Sequence, residues 1–272
     1  LLKNKLVFHA ALRADVVRFY DGSFHIYSPT LATEFLYNYQ GDYTSKLWFA
    51  LSPKAGAKYM FNENYDIYTL YSWGFRPPQI NDLSRTGDVN KGFKLANPDL
   101  KPEHVQSIEL GANIRPAKWL LMQPVFFYSV GSNFQYFVAT GDSVYTSGTN
   151  MKPVIKRQNV GRVNIAGFEF KTQISFTKNI HLTACYSYNH SVIGKYEMDS
   201  NSVTDLTGKF LIEIPKNLVS GIFVWNNKIV NTSITAKFLD KEWVDDDNTI
   251  ELDSYFVMDA KLQHMFYNKI NC

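Results

Sequence analysis

Aromatic and basic side chains are concentrated between residues 136 and 161, a stretch that separates two alternating segments. Aromatic rings can stack on a ligand, and lysine and arginine can hold its negative charges through ion pairs. This mixture predicts recognition of an anionic chelate, although a variable, solvated loop has a similar composition. The side chains that we select as ligand contacts are Tyr136, Phe137, Tyr145, Lys156 and Arg157, together with Trp243 from a later loop.

A second cluster of chemistry-bearing residues is acidic: Asp245, Asp246 and Asp247 follow Asp240 and Glu242. Clustered carboxylates can bind calcium, which takes about 6 to 8 oxygen ligands. The spacing lacks the residue order and the terminal glutamate of an EF-hand loop, so it favours a solvated acidic loop. We therefore predict no metal site and no cofactor.

Motifs of enzyme active sites are missing from the chain. It contains no nucleophile elbow, zinc-protease helix motif, phosphate-binding loop or dinucleotide-binding glycine pattern. The formal net charge is +3, from 28 basic and 25 acidic residues without a basic block, so nucleic acid is not indicated as a partner. We predict a non-enzymatic protein with no catalytic residues.

The elements that must position these residues are β-strands. In the segment that begins at Ser107, Ile108, Leu110 and Ala112 fall on one face, and Glu109 falls on the other. The same period of two recurs from one end of the chain to the other, over residues 6–16, 168–176, 180–189, 230–238 and 256–263. One face of each strand therefore requires an apolar medium and the other requires water.

The connections between these strands alternate in length. Short polar turns are centred on Asn64, Ala117, Asn179, Asn227 and Lys269, and long excursions cover residues 20–44, 76–102, 136–161, 193–206 and 241–251. Short turns at one rim and long loops at the other are typical of an outer-membrane barrel, as are aromatic residues near the strand ends. The pattern predicts an all-β, transmembrane antiparallel β-barrel segment of about ten long strands. A mean hydropathy of −0.22 does not oppose this prediction, because the polar face cancels the apolar face in the average.

Two neighbouring motifs link the chain to a family. "GFRPPQINDL" begins at Gly74, and "NPDLKPEHVQSIELGAN" begins at Asn97. They resemble the C-terminal β-barrel of TonB-dependent outer-membrane receptors, in which a strand ending in GFR-x-P leads through a loop into N-P-x-L-K-P-E and the next strand. The matching residues, to which we assign structural roles, are Gly74, Phe75, Arg76, Pro78, Asn97, Pro98, Leu100, Lys101, Pro102, Glu103, Glu109 and Gly111.

The resemblance implies a larger protein around this chain. It implies a barrel of 22 strands, of which residues 1–272 form one partial domain without the N-terminal plug and without the last two strands. Such a piece should be an open, curved sheet, because its two edge strands have no partners. Its location would be the outer membrane of a Gram-negative bacterium, where its outer face contacts lipid.

The resemblance also implies a function, namely uptake of a scarce nutrient. The nutrient would be a ferric siderophore or, as alternatives, haem or cobalamin. Energy would come from the TonB-ExbB-ExbD complex through the plug region, and the chemistry of this chain would be recognition. The competing interpretation is a soluble, β-rich carbohydrate-binding module, which requires shorter strands and a sequestered apolar face.

Overall fold

The computed structural model describes residues 5–20, 23–26, 39–42, 45–147, 150–196, 205–266 and 270–271. In chain order the elements are β1 (Leu6–Phe19), β2 (Ser23–Ile26), β3 (Tyr39–Asp42), β4 (Lys46–Met60), β5 (Tyr65–Arg76), α1 (Ile80–Ser84), β6 (Gly87–Val89), β7 (Gly92–Leu95), β8 (Glu103–Ala117), β9 (Leu120–Ser147), β10 (Asn150–Ser175), β11 (Ile180–Lys195), β12 (Asn217–Trp225), β13 (Asn231–Leu239), β14 (Glu242–Trp243), β15 (Glu251–Leu252), β16 (Tyr255–Gln263), β17 (Met265–Phe266) and β18 (Ile270–Asn271).

Ten of these strands form one continuous open sheet, in the order β1-β4-β5-β8-β9-β10-β11-β12-β13-β16. Each of the ten pairs antiparallel with the next, as expected for strands joined by consecutive hairpins. The prediction of about ten antiparallel strands in an open sheet is confirmed. Among the described residues, no helix combines the length and the apolarity that a membrane crossing requires.

The register keeps the apolar face continuous across the sheet. Leu110 of β8 lies opposite Thr69 on one side and Phe126 on the other, and Phe126 in turn lies opposite Phe168. The apolar side chains on this outward face are open to the surroundings: Leu110 is 49% exposed and Phe126 is 57% exposed. A face this large and this apolar needs a covering medium, because water would leave its apolar area unburied.

The short turns occur at one end of the strands, where the sequence predicts them. In the β4–β5 turn, the side-chain oxygen of Asn62 accepts hydrogen bonds from the backbone N–H groups of Asn64 and Tyr65, at 2.8 and 3.1 Å. Asn227 accepts in the same way from Ile229 and Val230, both at 2.8 Å. These contacts replace ladder hydrogen bonds where each strand reverses direction. The turn predicted at Lys269 lies outside the described residues.

The prediction of a long loop over residues 136–161 is wrong. β9 and β10 continue through this stretch as a paired hairpin, so the two strands are 28 and 26 residues long. We call residues 133–147 and 150–161 the β9–β10 extension. Its register shifts between Pro153 and Ile155, and Gly141, which lies in the facing segment of β9, has a left-handed φ of 89°. Polar residues and a glycine resemble loop composition, but a bulge accommodates them without ending the ladder.

The segment between β5 and β8 packs back onto this extension. β7 pairs parallel with β10, so that Phe93 lies opposite Val154 and Leu95 lies opposite Lys156. Leu95 and Val154 also form a small buried cluster with Val144. A larger cluster lies at the same end of the sheet and consists of Val138, Val163, Ile193, Tyr196, Leu206 and Leu211. The loop end is therefore a packed layer with its own apolar cores.

Candidate functional site

A buried carboxylate joins the β5–β8 segment to the β9–β10 extension. Asp82 of α1 lies 2.9 Å from the Nζ of Lys94, and both residues are 5% exposed. The Nε of Arg157 lies 3.2 Å from the other Asp82 carboxylate oxygen, as an ion pair without the alignment of a hydrogen bond. The backbone N–H of Asn97 donates to the Asp82 carbonyl at 2.8 Å. We call Asp82, Lys94 and Arg157 the Asp82 junction.

Arg157 is held from several directions. Its Nη1 donates to the carbonyl of Gln135 at 2.9 Å, and its guanidinium lies 4.2 Å above the centre of the Phe137 ring. The planar guanidinium suits both contacts, because it can donate at its edge while its face stacks on an aromatic ring. The junction has two cations for one carboxylate, so it retains a positive charge.

A cleft of about 500 Å³ opens beside the Asp82 junction, between the β5–β8 segment and the β9–β10 extension. Its cationic lining residues are Arg85, Lys91, Lys94 and Arg157, and Asp82 is the carboxylate among them. The remaining lining is Gln79, Asn81, Gly87, Val89, Asn90, Phe137 and Ile155. A concave space with excess positive charge and one aromatic wall is suited to an anionic ligand.

Acidic side chains from the later loops reach the rim of this cleft. Lys91 forms a 3.4 Å ion pair with Glu213. Burial raises the pKa of Asp246 to about 6, against the attraction of Lys91 and Arg157 and with repulsion from Asp245 and Asp247. The prediction of a solvated acidic loop is therefore wrong for Asp246, which is half-buried.

Asp245, the neighbour of Asp246, binds backbone N–H groups of its own loop. Its carboxylate accepts hydrogen bonds from the N–H groups of Thr249, at 3.0 Å, and Ile250, at 2.6 Å. Burial opposes ionisation here, but these hydrogen bonds outweigh it and lower the pKa of Asp245. Within the described part of the chain, no three His, Cys, Asp or Glu side chains come together as metal ligands.

The six side chains selected from the sequence as ligand contacts do not form one cluster. Phe137 and Arg157 lie together in the cleft. Tyr136 instead accepts a hydrogen bond from the Ile212 N–H at 3.0 Å, and burial raises its pKa to about 12. Tyr145 is exposed, near the tip of the β9–β10 extension.

The remaining two of these side chains also lie outside the cleft lining. Lys156 lies on β10 opposite Leu95 of β7. Trp243 lines a separate cavity of about 40 Å³ with Phe210 and Lys216. The assignment of these residues as ligand contacts remains a prediction.

The motif residues that begin β8 make contacts to the strands beside them. Leu100 is 1% exposed, and Asn159 exchanges two hydrogen bonds of 2.8 Å with the backbone of Lys101. The carboxylate of Glu103 is buried and accepts from the Gln135 N–H at 2.7 Å. The Arg76 guanidinium pairs with the Glu103 carboxylate.

Further motif residues contact their neighbours as follows. The side-chain amide of Asn97 donates to the Arg157 carbonyl at 2.8 Å, and Lys46 donates to the carbonyl of Pro98. Pro78 is buried, and Phe75 packs 5.6 Å from the His104 ring. At Gly111 a Cβ would overlap the Tyr68 ring, so a larger residue there would displace that ring. Structural roles for the motif remain a prediction, which these contacts favour.

Several residues of the cleft escaped sequence reasoning. Asp82 and Lys94 are separated by 12 positions, and Arg157 follows much later in the chain, so no local spacing connects them. The sequence of α1 gave a weak indication, because Asp82 there directly precedes the apolar Leu83. An acidic residue in a short amphipathic turn can be buried when cations lie nearby. Lys91 carried no signal beyond its position in a long connection.

Long antiparallel strands with an exposed apolar face, and with an ordered loop layer at one rim, define the wall of a β-barrel receptor. The chain belongs to the family described as TonB dependent receptor-like, beta-barrel, which matches residues 2–270. The family is one of receptors, and the soluble carbohydrate-binding alternative finds no support in it.

Three proteins illustrate the similarity. The ferrioxamine receptor of Yersinia enterocolitica is 25% identical over 217 residues, which are 78% of this chain and 26% of that protein. The siderophore receptor PiuA from Acinetobacter baumannii superposes with a TM-score of 0.71 at 20% identity, over 98% of this chain and 35% of that one. The ferric yersiniabactin uptake receptor FyuA from Yersinia pestis superposes with a TM-score of 0.68 at 14% identity, over 99% of this chain and 37% of that one. The chain thus spans about a quarter of its curated relative.

Proposed function

We propose that this chain is part of the barrel wall of a receptor in the outer membrane of a Gram-negative bacterium, and that the whole receptor imports a ferric siderophore. The observation that carries the ligand assignment is the cleft beside the Asp82 junction, with Arg85 and Lys91 in its lining. Family membership supports the barrel and the receptor class. Energy for import comes, in this proposal, from the TonB-ExbB-ExbD complex acting on the whole receptor.

The chemistry of the cleft favours an iron chelate over haem. Haem iron in proteins takes an axial ligand such as histidine, tyrosine, cysteine or methionine. The described lining contains none of these four residue types, whereas it contains four cations. A siderophore brings its own iron ligands and requires charge and shape from the protein. Haem and cobalamin remain the alternatives that the assay below distinguishes.

The test measures ligand affinity in the full-length receptor. The variant Arg85→Gln/Lys91→Gln removes two cations from the cleft and keeps side chains of similar length. We expect affinity for an anionic ferric tris-catecholate to fall about tenfold or more, because each charge-assisted hydrogen bond contributes about 1.5–3 kcal/mol and 1.4 kcal/mol is tenfold. Affinity is measured by titrating the ligand into the receptor and following the quenching of the receptor's intrinsic fluorescence.

The control is Lys178→Gln/Lys228→Gln, which removes two lysines at the short turns, at the opposite end of the strands. It should leave the affinity unchanged. Haem, cobalamin and ferrioxamine are titrated in parallel. Tight binding of haem or cobalamin without binding of any ferric siderophore would overturn the proposal, as would equal affinity of the cleft variant and the control.

A further inference from the structure

Two acidic side chains from the later loops lie beside the cations at the rim of the cleft. Glu213 pairs with Lys91 at 3.4 Å, across 122 positions of the chain. Burial raises the pKa of Asp246 to about 6, and Lys91 and Arg157 act against this rise, so both cations lie within electrostatic reach of its carboxylate. Besides Asp82 in its lining, the cleft therefore faces these two carboxylates at its rim.

Both carboxylates belong to one packed unit, which consists of residues 209–213 and 243–248 and which we call the acidic unit. The side-chain oxygen of Asn248 accepts a hydrogen bond from the Phe210 N–H at 2.6 Å, and its amide donates to the Phe210 carbonyl at 3.1 Å. The Tyr136 hydroxyl joins the unit to the β9–β10 extension by accepting from a backbone N–H at 3.0 Å. These contacts do not involve the two carboxylates, so we expect the unit to stay in place when either carboxylate is replaced by its amide.

The backbone of Glu213 is strained. Its φ is 60°, in the left-handed region that a residue with a side chain rarely adopts. Its N–H donates to the Trp243 carbonyl at 2.8 Å, which ties the two parts of the acidic unit together. Strain of this kind persists where surrounding contacts determine the conformation. Here it accompanies the placement of the Glu213 carboxylate beside Lys91.

The carboxylates around the cleft differ in how easily another anion can replace them. Asp82 and Lys94 form a buried pair, and breaking such a pair from one side is strongly destabilising. The side chains of Glu213 and Lys91 are 64% and 50% exposed, and an exposed pair contributes little to stability. An entering anion can therefore replace Glu213 at Lys91 with little loss, whereas Asp82 remains in place.

Asp246 responds to charge in the cleft through its protonation. The groups that face it from the elements packed around it are Lys91 of the β6–β7 turn, Arg157 of β10, Tyr136 of β9, and Asp245 and Asp247 of its own loop. Tyr136 stays neutral, because burial raises its pKa to about 12. An anion beside the two cations disfavours ionised Asp246 further, so binding of the anion takes up a proton. Affinity for an anion should therefore rise as the pH falls through about 6.

We propose that Glu213 and Asp246 determine the specificity of the cleft by acting as exchangeable internal anions: a ligand must displace Glu213 from Lys91 and overcome the repulsion of Asp246. A weakly charged ligand gains too little from the cations to do so, whereas a multiply charged anion gains enough. The inference rests on the proposed function and deepens it, because it concerns selection of the ligand at the same cleft.

The test uses the full-length receptor in neutral detergent and a probe of fixed charge, hexacyanocobaltate(III), a trianion whose charge does not depend on pH. Isothermal titration calorimetry measures its affinity. At about pH 7.5 we expect Glu213→Gln and Asp246→Asn each to bind the probe about threefold to tenfold more tightly than the unaltered receptor, because each variant removes a competing charge. The gain in Asp246→Asn should disappear at about pH 5, where Asp246 of the unaltered receptor is protonated.

The matched control is Glu251→Gln. It removes a carboxylate that follows the acidic unit in the chain and pairs with Lys241 at 2.8 Å rather than with a cation of the cleft. It changes the net charge by the same amount as Glu213→Gln, and it should leave the affinity for the probe unchanged. Lys91→Gln provides a second background, in which the gain from Glu213→Gln should be lost because the carboxylate acts through Lys91.

Unchanged affinity in Glu213→Gln or in Asp246→Asn would overturn the inference for that residue, and an equal gain in Glu251→Gln would overturn it for both. A gain from Glu213→Gln that persists in the Lys91→Gln background would show that the carboxylate acts through the fold of the acidic unit and not as a competing anion. Absence of probe binding in the receptor and its variants would also overturn it. Ferric tris-catecholate is titrated on the same preparations, so failure of the proposed function is recognised separately from the result with hexacyanocobaltate(III).

Discussion

At the scale of single residues, the loop end depends on a few buried charges. Glu103 accepts from a backbone N–H and pairs with Arg76, and Asp82 pairs with two cations. Buried carboxylates of this kind are stable because donors surround them, and each becomes costly when a partner is removed. Asp246 differs, because burial dominates its environment and raises its pKa to about 6.

The raised pKa of Asp246 predicts a pH dependence. The ordinary aspartate value is 3.8, so the folded loop binds the proton more tightly than the opened loop does. The stabilisation is complete below pH 3.8 and is lost as the pH rises through about 6. We expect the free energy of opening, measured by hydrogen exchange at the Val244 amide and corrected for intrinsic rates, to fall over this window.

Asp246→Asn should abolish this pH dependence. If the free energy of opening fell with pH as steeply in this variant, the assignment of the effect to Asp246 would be contradicted. The control is Asp247→Asn, which changes an exposed neighbour of Asp246 and should keep most of the pH dependence of the opening free energy. Asp245 does not interfere, because its lowered pKa confines its titration to pH values below 3.8, where its stabilisation is lost as the pH falls.

At the scale of elements, the β5–β8 segment and the β9–β10 extension behave as one packed unit. β7 contributes parallel backbone pairing to β10, and the Asp82 junction adds a buried ion pair between the same two parts. The cleft is thus formed by ordered backbone on both sides. Such a wall loses less conformational entropy on binding a ligand than a flexible loop does.

Asp82→Asn should detach the β5–β8 segment from the β9–β10 extension. It leaves Lys94 and Arg157 without their counter-charge, and breaking a buried pair from one side costs about 3–5 kcal/mol. We expect trypsin to cleave the native receptor at Arg85 or Lys91 much faster, since cleavage follows the population of the opened segment. Limited proteolysis followed by mass spectrometry measures this.

Asp99→Asn is the matched control for Asp82→Asn. Asp99 pairs with Lys46 at 3.1 Å, but its side chain is 90% exposed, and exposed pairs contribute about 0–1 kcal/mol. Similar cleavage rates in the two variants would show that the junction does not hold the segment in place.

At the scale of the whole molecule, the two faces of the sheet require different surroundings. The outward face is apolar and exposed, from Phe8 of β1, at 71%, to Leu262 of β16, at 68%. The inward face carries polar and charged side chains such as Lys58 and Asp66, which form a 2.9 Å ion pair. Hydrocarbon outside and water inside satisfy both faces at once.

Ile67→Arg tests this arrangement. Ile67 lies on the outward face of β5, about midway between Phe61 and Trp73. An arginine near the midplane of a barrel costs about 2–4 kcal/mol. We expect the unfolding free energy of the full-length receptor in lipid vesicles, measured by urea titration, to fall by this amount. Gln173→Arg, on the inward face, should change it little, and equal losses would mean that the faces or the medium are misassigned.

The sequence by itself determined the strands, their two faces and the position of the motif that starts β8. Alternation is a local property, since neighbouring side chains on a strand always point to opposite faces, and therefore it can be recognised without knowing the partners. The sequence also located four short turns, because turn residues such as Asn62 and Asn227 form their hydrogen bonds within a few residues. The β9–β10 extension was not foreseen, because a polar strand and a polar loop have the same composition.

The tertiary structure alone decided which charges meet. Asp82 reaches Arg157 across 75 positions, and Glu103 reaches Arg76 across 27 positions. Such contacts depend on how strands are aligned and on how a segment folds back over its neighbours. A shift of one residue in register would turn these side chains to the other face, so no pattern along the chain specifies them.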